Sequence, residues 1–195
     1  MGTDEHTEEP DAVTEIIALV RERGYQRRDE PFTLASGATS HDYVDGKRCV
    51  DRGGRLLLAC HAILQRAAEI GADFDAVGGM TMGADPFAHG VAFLTDRLWF
   101  SIRKQPKGRG LDQWIEGARL DRTHRVLLVD DVITTGGSTI TAYEKVLETG
   151  ATVTGVVPFV DRSDLGREAF AARGVPYAPV VGFRDLGIEA VRLPA

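Results

Sequence analysis

Two adjacent carboxylates, Asp130 and Asp131, stand shortly before a run of small hydroxyl and glycine residues. The backbone N–H groups of such a run, together with its hydroxyl donors, suit a bound phosphate. The run consists of Thr134, Thr135, Gly136, Gly137, Ser138 and Thr139. Carboxylates repel a phosphate, so we expect the two acids to face ribose hydroxyls, a divalent cation or both. A ligand with a 5′-phosphate, a free 2′,3′-diol and a metal-bound second phosphate would use all of these groups.

The flanking elements predict how this segment is positioned. The apolar residues Val126 to Val129 predict a buried strand, and a helical pattern runs from about Ser138 to Glu148. In an open α/β sheet, ligands bind where strands end and the following helices begin. The sequence contains no GxxxxGKS, no GxxxxGKT and no GxGxxG after a strand, which argues against the usual competing nucleotide-binding motifs. The alternative is an ordinary strand, turn and helix with a solvated acidic pair.

A second segment is basic and starts where another predicted strand, Leu98 to Ile102, ends. This segment, 103–117, is rich in glycine, lacks a helical or strand period and predicts a long mobile loop. Its cations are Arg103, Lys104, Lys107 and Arg109. A mobile lid of this kind excludes water and brings positive charge to a leaving pyrophosphate. The alternative is a solvated charged loop, the usual role of such a composition.

A third segment predicts another anion-binding loop. A strand at about Phe74 to Val77 leads into a loop of small residues that starts at Gly78. Asp85 followed by Pro86 predicts the start of a helix, with a capping side chain and a proline in the first turn. A glycine-rich loop between a strand end and a helix start is suited to an anion.

The composition of the 195 residues bounds the class of protein. With 43% hydrophobic and 27% charged residues, the chain predicts one α/β domain over 11–195, preceded by a disordered acidic segment, 1–10. The net charge of −6 argues against non-specific nucleic-acid binding, so an anionic substrate needs local basic groups. No signal peptide and no membrane-spanning run are recognised, and we predict a cytoplasmic protein without membrane contact. Cys49 and Cys60 are expected to be free thiols.

The remaining pattern predicts elements that frame these segments. Asp11 is expected to cap a first helix, which ends at Gly24. A hairpin is predicted within Phe32 to Val50. Further elements are predicted as helices at Arg52 to Ile70 and Arg167 to Arg173, and as strands at Thr152 to Val160 and Tyr177 to Gly182.

The order of apolar strand, two acids and Thr/Gly-rich loop closely resembles the phosphoribosyl-pyrophosphate (PRPP) motif of the type I phosphoribosyltransferases. The hairpin resembles the hood of the orotate phosphoribosyltransferases at Phe32, Leu34, Ser36, Gly37, Ser40 and Tyr43. The basic segment resembles the loop of that family at Arg103, Lys104, Lys107, Gly110, Glu116 and Gly117. Asp161 and Arg162 match the Asp-Arg pair of the family. The chain departs from the family pattern at Ala35, Val44, Met82 and Arg109.

The resemblance implies a type I phosphoribosyltransferase fold, which is an α/β fold with a central, mainly parallel sheet flanked by helices. It further implies a small hood at about 25–50 and a mobile basic lid at about 103–117. The implied reaction is Mg²⁺-dependent transfer of ribose 5-phosphate from PRPP to orotate, as in UMP biosynthesis. A homodimer is implied as well, with lid residues acting across the interface.

The resemblance also implies roles for individual residues. Catalysis falls to Arg103, Lys104, Lys107, Arg109, Asp130 and Asp131. The 5′-phosphate is expected at Thr134, Thr135, Gly136, Gly137 and Ser138, with Asp130 and Asp131 on the ribose. The pyrophosphate loop includes Gly79, Met82 and Gly83, and orotate is expected at Tyr43, Thr134 and Arg162. Magnesium is held mainly by PRPP. Two alternatives stay open, namely a transferase for uracil or a purine and a non-catalytic PRPP-sensing regulator.

Overall fold

The computed structural model describes residues 11–34, 37–105 and 114–192. A six-stranded sheet forms its centre, in the spatial order β5-β4-β3-β6-β7-β8. Five strands are parallel, and β5 is antiparallel to β4. The strands are β3 (Ala76–Met80), β4 (Leu98–Ile102), β5 (Ile115–Gly117), β6 (Arg125–Ile133), β7 (Thr152–Asp161) and β8 (Val181–Gly182). The expected α/β architecture with a mainly parallel sheet is therefore confirmed.

Helices cover both faces of this sheet. On one face, α1 (Ala12–Leu19), α2 (Gly53–Glu69) and α3 (Asp85–Thr95) contribute to a core that includes Leu127 and Val129 of β6. On the other face, α4 (Gly137–Glu148) and α5 (Leu165–Ala171) pack with Val126 and Leu128. Alternate residues of β6 thus enter opposite cores, which explains the continuous apolar run of this strand.

A separate two-stranded sheet forms the hood. It consists of β1 (Tyr25–Thr33) and β2 (Thr39–Val44), which pair antiparallel. The predicted hairpin is confirmed, although its first strand starts at Tyr25 rather than Phe32. A π-helical turn over Val20–Gly24 leads from α1 into the hood, and a 3-10 turn over Gly46–Cys49 leads from it.

Several predicted elements are confirmed by the structure. Asp11 caps α1, since its Oδ1 accepts the N–H of Thr14 at 2.9 Å. The predicted helix at 52–70 is α2, and the predicted strand at 98–102 is β4. The predicted strand at 152–160 is β7, which extends one residue further. Cys49 and Cys60 are both buried and free.

Other predictions are wrong in their boundaries. Gly78 and Gly79 were expected in a loop but belong to β3. Their neighbours come too close for a side chain, since a Cβ would lie 2.3 Å from the Phe100 carbonyl oxygen at Gly78 and 2.2 Å from that of Val129 at Gly79. The predicted C-terminal strand at 177–182 shrinks to β8 and an isolated bridge at Tyr177.

The expected capping role of Asp85 is also wrong. Helix α3 starts with Ala84 at its cap position, and no side chain caps it, while proline stands in its first turn as predicted. The Asp85 carboxylate instead accepts the hydroxyl of Ser101 at 2.6 Å, which ties the start of α3 to β4. Within the described ranges, none of the helices has the length and apolar character required to cross a bilayer.

Candidate active site

A cavity of about 670 Å³ opens at the carboxyl end of the parallel strands. Three segments with predicted site residues meet there, namely the end of β6 with the loop that follows it, the end of β3 with its loop, and Lys104 after β4; Lys47 adds a fourth segment. The predicted site residues in its lining are Met82, Gly83, Lys104, Asp130, Asp131, Thr134, Thr135, Gly136, Gly137 and Ser138. Residues from distant stretches of the chain thus surround one space, where the topology of a parallel sheet favours a ligand.

The first acid, Asp130, is buried and fully engaged. It lies within β6 rather than in the loop after it. Its Oδ2 accepts the hydroxyl of Thr139 at 2.7 Å, and its Oδ1 accepts the backbone N–H of Asp131 at 3.0 Å. Burial raises the pKa of the Asp130 carboxyl, and the adjacent Asp131 adds to this, while the Thr139 bond acts in the opposite direction. The hydroxyl of Thr139, expected to serve a phosphate, therefore serves Asp130.

The second acid, Asp131, is more accessible and pairs with a residue that the sequence did not suggest. Its Oδ1 accepts the N–H of Val132 at 2.8 Å, and its Oδ2 lies 2.7 Å from the ammonium of Lys47. Lys47 lies in the 3-10 turn after the hood and lines the cavity. A single lysine after a hairpin carries no local motif, so only the folded chain identifies it.

The loop after β6 has the features of a phosphate site. It lies at 134–138, and α4 begins at Gly137, so the unpaired N–H groups of this helix start at the cavity. The backbone N–H of Arg162 bonds to the carbonyl of Ile133 at 2.9 Å and so fixes the start of the loop against the end of β7. An anion is favoured at this position by the N–H groups and the helix dipole together.

The loop after β3 brings a glycine against the acids. A Cβ at Gly83 would lie 2.5 Å from Asp131 Oδ1 and 3.0 Å from Asp130 Oδ1. Met82, the residue before it, is 74% exposed and lines the cavity. Gly79, expected in this loop, lies in β3 outside the lining. The loop is thus shorter than predicted and starts at Thr81.

The basic segment meets the cavity at its start. Lys104 lines it, whereas Arg103 donates through Nε to Glu116 Oε1 at 2.9 Å and lines an adjoining cavity of about 510 Å³. The backbone N–H of Arg103 bonds to the carbonyl of Trp114 at 2.8 Å, which joins both ends of the segment. Part of the predicted loop, 115–117, is strand β5. Lys107 and Arg109 lie outside the described residues.

The residues expected to bind orotate are not all in this cavity. Thr134 lines it, but Tyr43 packs edge-on against Phe32, with 5.7 Å between ring centroids, and does not line it. Arg162 is only 2% exposed and donates to Ser40 Oγ at 3.0 Å and to the Asp42 carbonyl at 2.6 Å. Its side chain thus joins the end of β7 to the hood, and it too is absent from the lining. Ala35 and Ser36 lie outside the described residues.

Within the part of the chain that is described, no group of three or more His, Cys, Asp or Glu side chains is arranged to hold a metal ion. Of the two acids, Asp130 has both oxygens in hydrogen bonds, and Asp131 is paired with Lys47. This donor set suits a cation that arrives with a ligand.

Comparison with known proteins identifies the family. No protein-family model matches the chain. The orotate phosphoribosyltransferase of Rhodopirellula baltica is 38% identical over 185 residues, which cover 89% of this chain and 93% of the relative. That of Streptomyces avermitilis is 42% identical over 163 residues, covering 80% and 88%.

Solved structures agree with these relatives. The Mycobacterium tuberculosis orotate phosphoribosyltransferase in complex with PRPP superimposes with a TM-score of 0.74 at 35% identity, covering 92% of this chain and all of that chain. A phosphoribosyltransferase from Corynebacterium diphtheriae gives a TM-score of 0.75 at 33% identity, covering 91% and 99%. The strand order, the paired acids at the end of β6 and these similarities lead to one assignment: the chain belongs to the orotate phosphoribosyltransferase family.

Proposed function

We propose that this protein transfers ribose 5-phosphate from PRPP to N1 of orotate and releases pyrophosphate. The observation that carries the proposal is one cavity in which an acidic pair, a helix-capping Thr/Gly loop and Lys104 meet. Each group matches one part of PRPP, and the relatives from Rhodopirellula baltica and Streptomyces avermitilis are named orotate phosphoribosyltransferases. The product of the reaction is orotidine 5′-phosphate.

The 5′-phosphate binds in the loop 134–138. The backbone N–H groups at the start of α4 and the hydroxyls of this loop supply donors without a buried cation. Asp131 accepts from the ribose hydroxyls, since its carboxylate is the more accessible of the two acids. Asp130 contributes by fixing the end of β6 and the first turn of α4. The diphosphate lies toward the loop of Met82 and Gly83.

PRPP enters as its magnesium complex, so the metal belongs to the substrate. The ion would be held mainly by PRPP, with Asp130 and Asp131 as the carboxylates of the same cavity, and it would neutralise charge on the diphosphate. The donor set of the two acids fits this arrangement. The chain itself has to orient the ribose and to exclude water from C1.

Bond cleavage at C1 develops positive charge on the ribose and negative charge on the leaving pyrophosphate. Lys104 lines the cavity and Arg103 lines the adjoining one, which supports the proposal that both stabilise the departing diphosphate. Lys107 and Arg109 are predicted to add to this charge. Arg109 stands where the family has histidine, and an arginine supplies permanent charge without proton exchange near neutrality. The ring nitrogen of orotate is already acidic, so no strong general base is required.

Tyr43, Thr134 and Arg162 stay predictions as orotate ligands. Arg162 is the strongest of them chemically, because a planar guanidinium matches the carboxylate of orotate. The homodimer with lid residues acting across its interface and the cytoplasmic location also stay predictions.

The proposal is tested by pyrophosphate release from PRPP and Mg²⁺ with orotate, uracil, hypoxanthine and adenine supplied separately. We expect release with orotate and only background with the other bases. Release with another base would replace the proposal by a sister transferase. PRPP binding without release for any base would favour a non-catalytic PRPP sensor.

A further inference from the structure

Lys47 reaches the acidic pair from the 3-10 turn after the hood, although no sequence motif marks it. Its side chain is 54% exposed, lines the cavity and ends 2.7 Å from Asp131 Oδ2. It is therefore accessible to a ligand that occupies the cavity. It also connects the 3-10 turn after the hood to the strand that carries both acids.

The local structure holds Lys47 in this place. Asp45 caps the 3-10 turn, with its Oδ1 accepting the N–H of Lys47 at 3.1 Å. Gly46 is pressed onto the sheet, because a Cβ there would lie 3.2 Å from Phe159 Cδ1 and 3.4 Å from Val132 Cγ2. The backbone of Lys47 is thus fixed beside β6, and only its side chain is free to adjust.

The charge of Lys47 reduces the electrostatic repulsion between the acidic pair and an anionic ligand. Two neighbouring carboxylates repel an anionic ligand, and PRPP carries negative charge on three phosphate groups. The Lys47 ammonium offsets one carboxylate at close range. Together with the N–H of Val132, it also occupies both oxygens of Asp131 and holds that carboxylate in one orientation. The hydrogen bond that Lys47 donates to Asp131 raises the pKa of Lys47, so its charged form is favoured.

We propose that Lys47 is a positioning residue of the PRPP site: it orients Asp131 toward the ribose diol and offsets its charge. This inference rests on the proposed PRPP site but not on orotate as the acceptor. Because Lys47 acts through Asp131, its removal should weaken PRPP binding and leave the interaction with orotate unchanged. An arginine at the same position keeps the charge and should keep most of the binding.

The test compares Lys47→Met and Lys47→Arg with Arg52→Met. Arg52 is exposed at the start of α2, lies outside the cavity lining and loses the same charge on substitution. Calorimetry with PRPP and Mg²⁺ should show a dissociation constant raised about tenfold or more in Lys47→Met and within about threefold of the wild type in the other two. The KM for PRPP should rise in parallel, with the KM for orotate unchanged.

A double-mutant cycle separates positioning from a general charge effect. If Lys47 acts through Asp131, Lys47→Met should add little to the loss already caused by Asp131→Asn. Independent, multiplying losses would overturn the inference, as would an unchanged PRPP dissociation constant in Lys47→Met. If Lys47→Met lowers the thermal midpoint by disturbing the hood, Lys47→Gln repeats the comparison with a polar side chain.

The two proposals fail in different ways. A wild type that binds PRPP but transfers it to another base would remove orotate as the substrate and leave the Lys47 comparison intact. A wild type that does not bind PRPP would overturn the role of Lys47 as well. If Lys47→Met binds PRPP normally and the wild type turns over orotate normally, only the proposed role of Lys47 is overturned.

Discussion

The hydroxyl of Thr139 donates to Oδ2 of Asp130 at 2.7 Å and so joins the first turn of α4 to the end of β6. Both side chains are buried, and the proposed phosphate loop, 134–138, lies between them in the chain. The bond closes this loop at its base. The shape of the loop therefore depends on a contact outside the residues proposed to bind the phosphate.

Replacing Thr139 by valine should loosen the loop without changing the volume of the side chain. A buried carboxylate would lose one hydrogen bond, which costs about 1 to 3 kcal/mol. We expect a lower free energy of unfolding in urea and weaker PRPP binding by calorimetry. Thr152→Val is the matched control, because Thr152 is exposed at the start of β7. Equal stability of both variants would contradict the structural role of the bond.

Gly83 should tolerate no side chain, because a Cβ would meet Asp131 Oδ1 at 2.5 Å. Gly83→Ala must displace either the acid or the loop, so kcat/KM for PRPP should fall by about a hundredfold. Steady-state kinetics at saturating orotate measure this. Gly54→Ala is the control, since a Cβ there meets no atom within 4 Å and the residue lies in α2. A Gly83→Ala variant as active as this control would show that the acids need no such close packing.

Lys104 should affect turnover more than binding, because the charge it meets develops as pyrophosphate leaves. Lys104→Met is expected to lower kcat by about tenfold or more, with a smaller change in the PRPP dissociation constant. Arg119→Met removes the same charge at an exposed position outside the cavity lining and should leave kcat near that of the wild type. If Lys104→Met weakens PRPP binding but leaves kcat unchanged, Lys104 stabilises bound PRPP rather than the transition state.

Asp161 should make stability depend on pH. It is buried, and its oxygens accept the Tyr177 hydroxyl at 2.6 Å and the Ser163 N–H at 3.1 Å. Burial outweighs these bonds and raises the pKa of Asp161 to about 6 from 3.8. A carboxyl whose pKa is higher in the folded state than in the unfolded state stabilises the fold at a pH below its unfolded pKa. This contribution is lost as the pH rises through the folded pKa.

Between about pH 4 and about pH 7, the free energy of unfolding of the wild type should therefore fall by about 2 kcal/mol relative to that of Asp161→Asn. Urea unfolding of both proteins across this range measures the difference. Asp121→Asn is the control, because hydrogen bonds from Thr123 lower the pKa of Asp121 and predict a change in the opposite direction. A constant difference between wild type and Asp161→Asn would show that Asp161 is not protonated on folding.

The central strand, loop and helix could be predicted because their signals are local. The apolar run of β6, the two glycines at the start of α4 and the Asp11 cap each follow from neighbouring residues. Gly78 and Gly79 misled the prediction, because glycines usually mark a loop. Here they belong to a central strand whose neighbours, Phe100 and Val129, approach too closely for a side chain.

Contacts between distant segments could not be predicted in the same way. Lys47 meets Asp131 only because the hood turn packs on β6. Arg162, which stays a prediction as an orotate ligand, donates through its guanidinium to the hood at Ser40 and Asp42, a contact that the sequence did not suggest. The direction of a side chain at a strand end depends on which element packs over it, and a single sequence does not encode that partner locally.

The most direct test of the central claim is the ultraviolet absorbance of orotate in the presence of the purified wild-type protein. The account predicts that the orotate signal falls only when PRPP and Mg²⁺ are both present, as orotidine 5′-phosphate forms. An unchanged orotate signal, while PRPP is consumed with uracil, hypoxanthine or adenine or is bound without reaction, would contradict it.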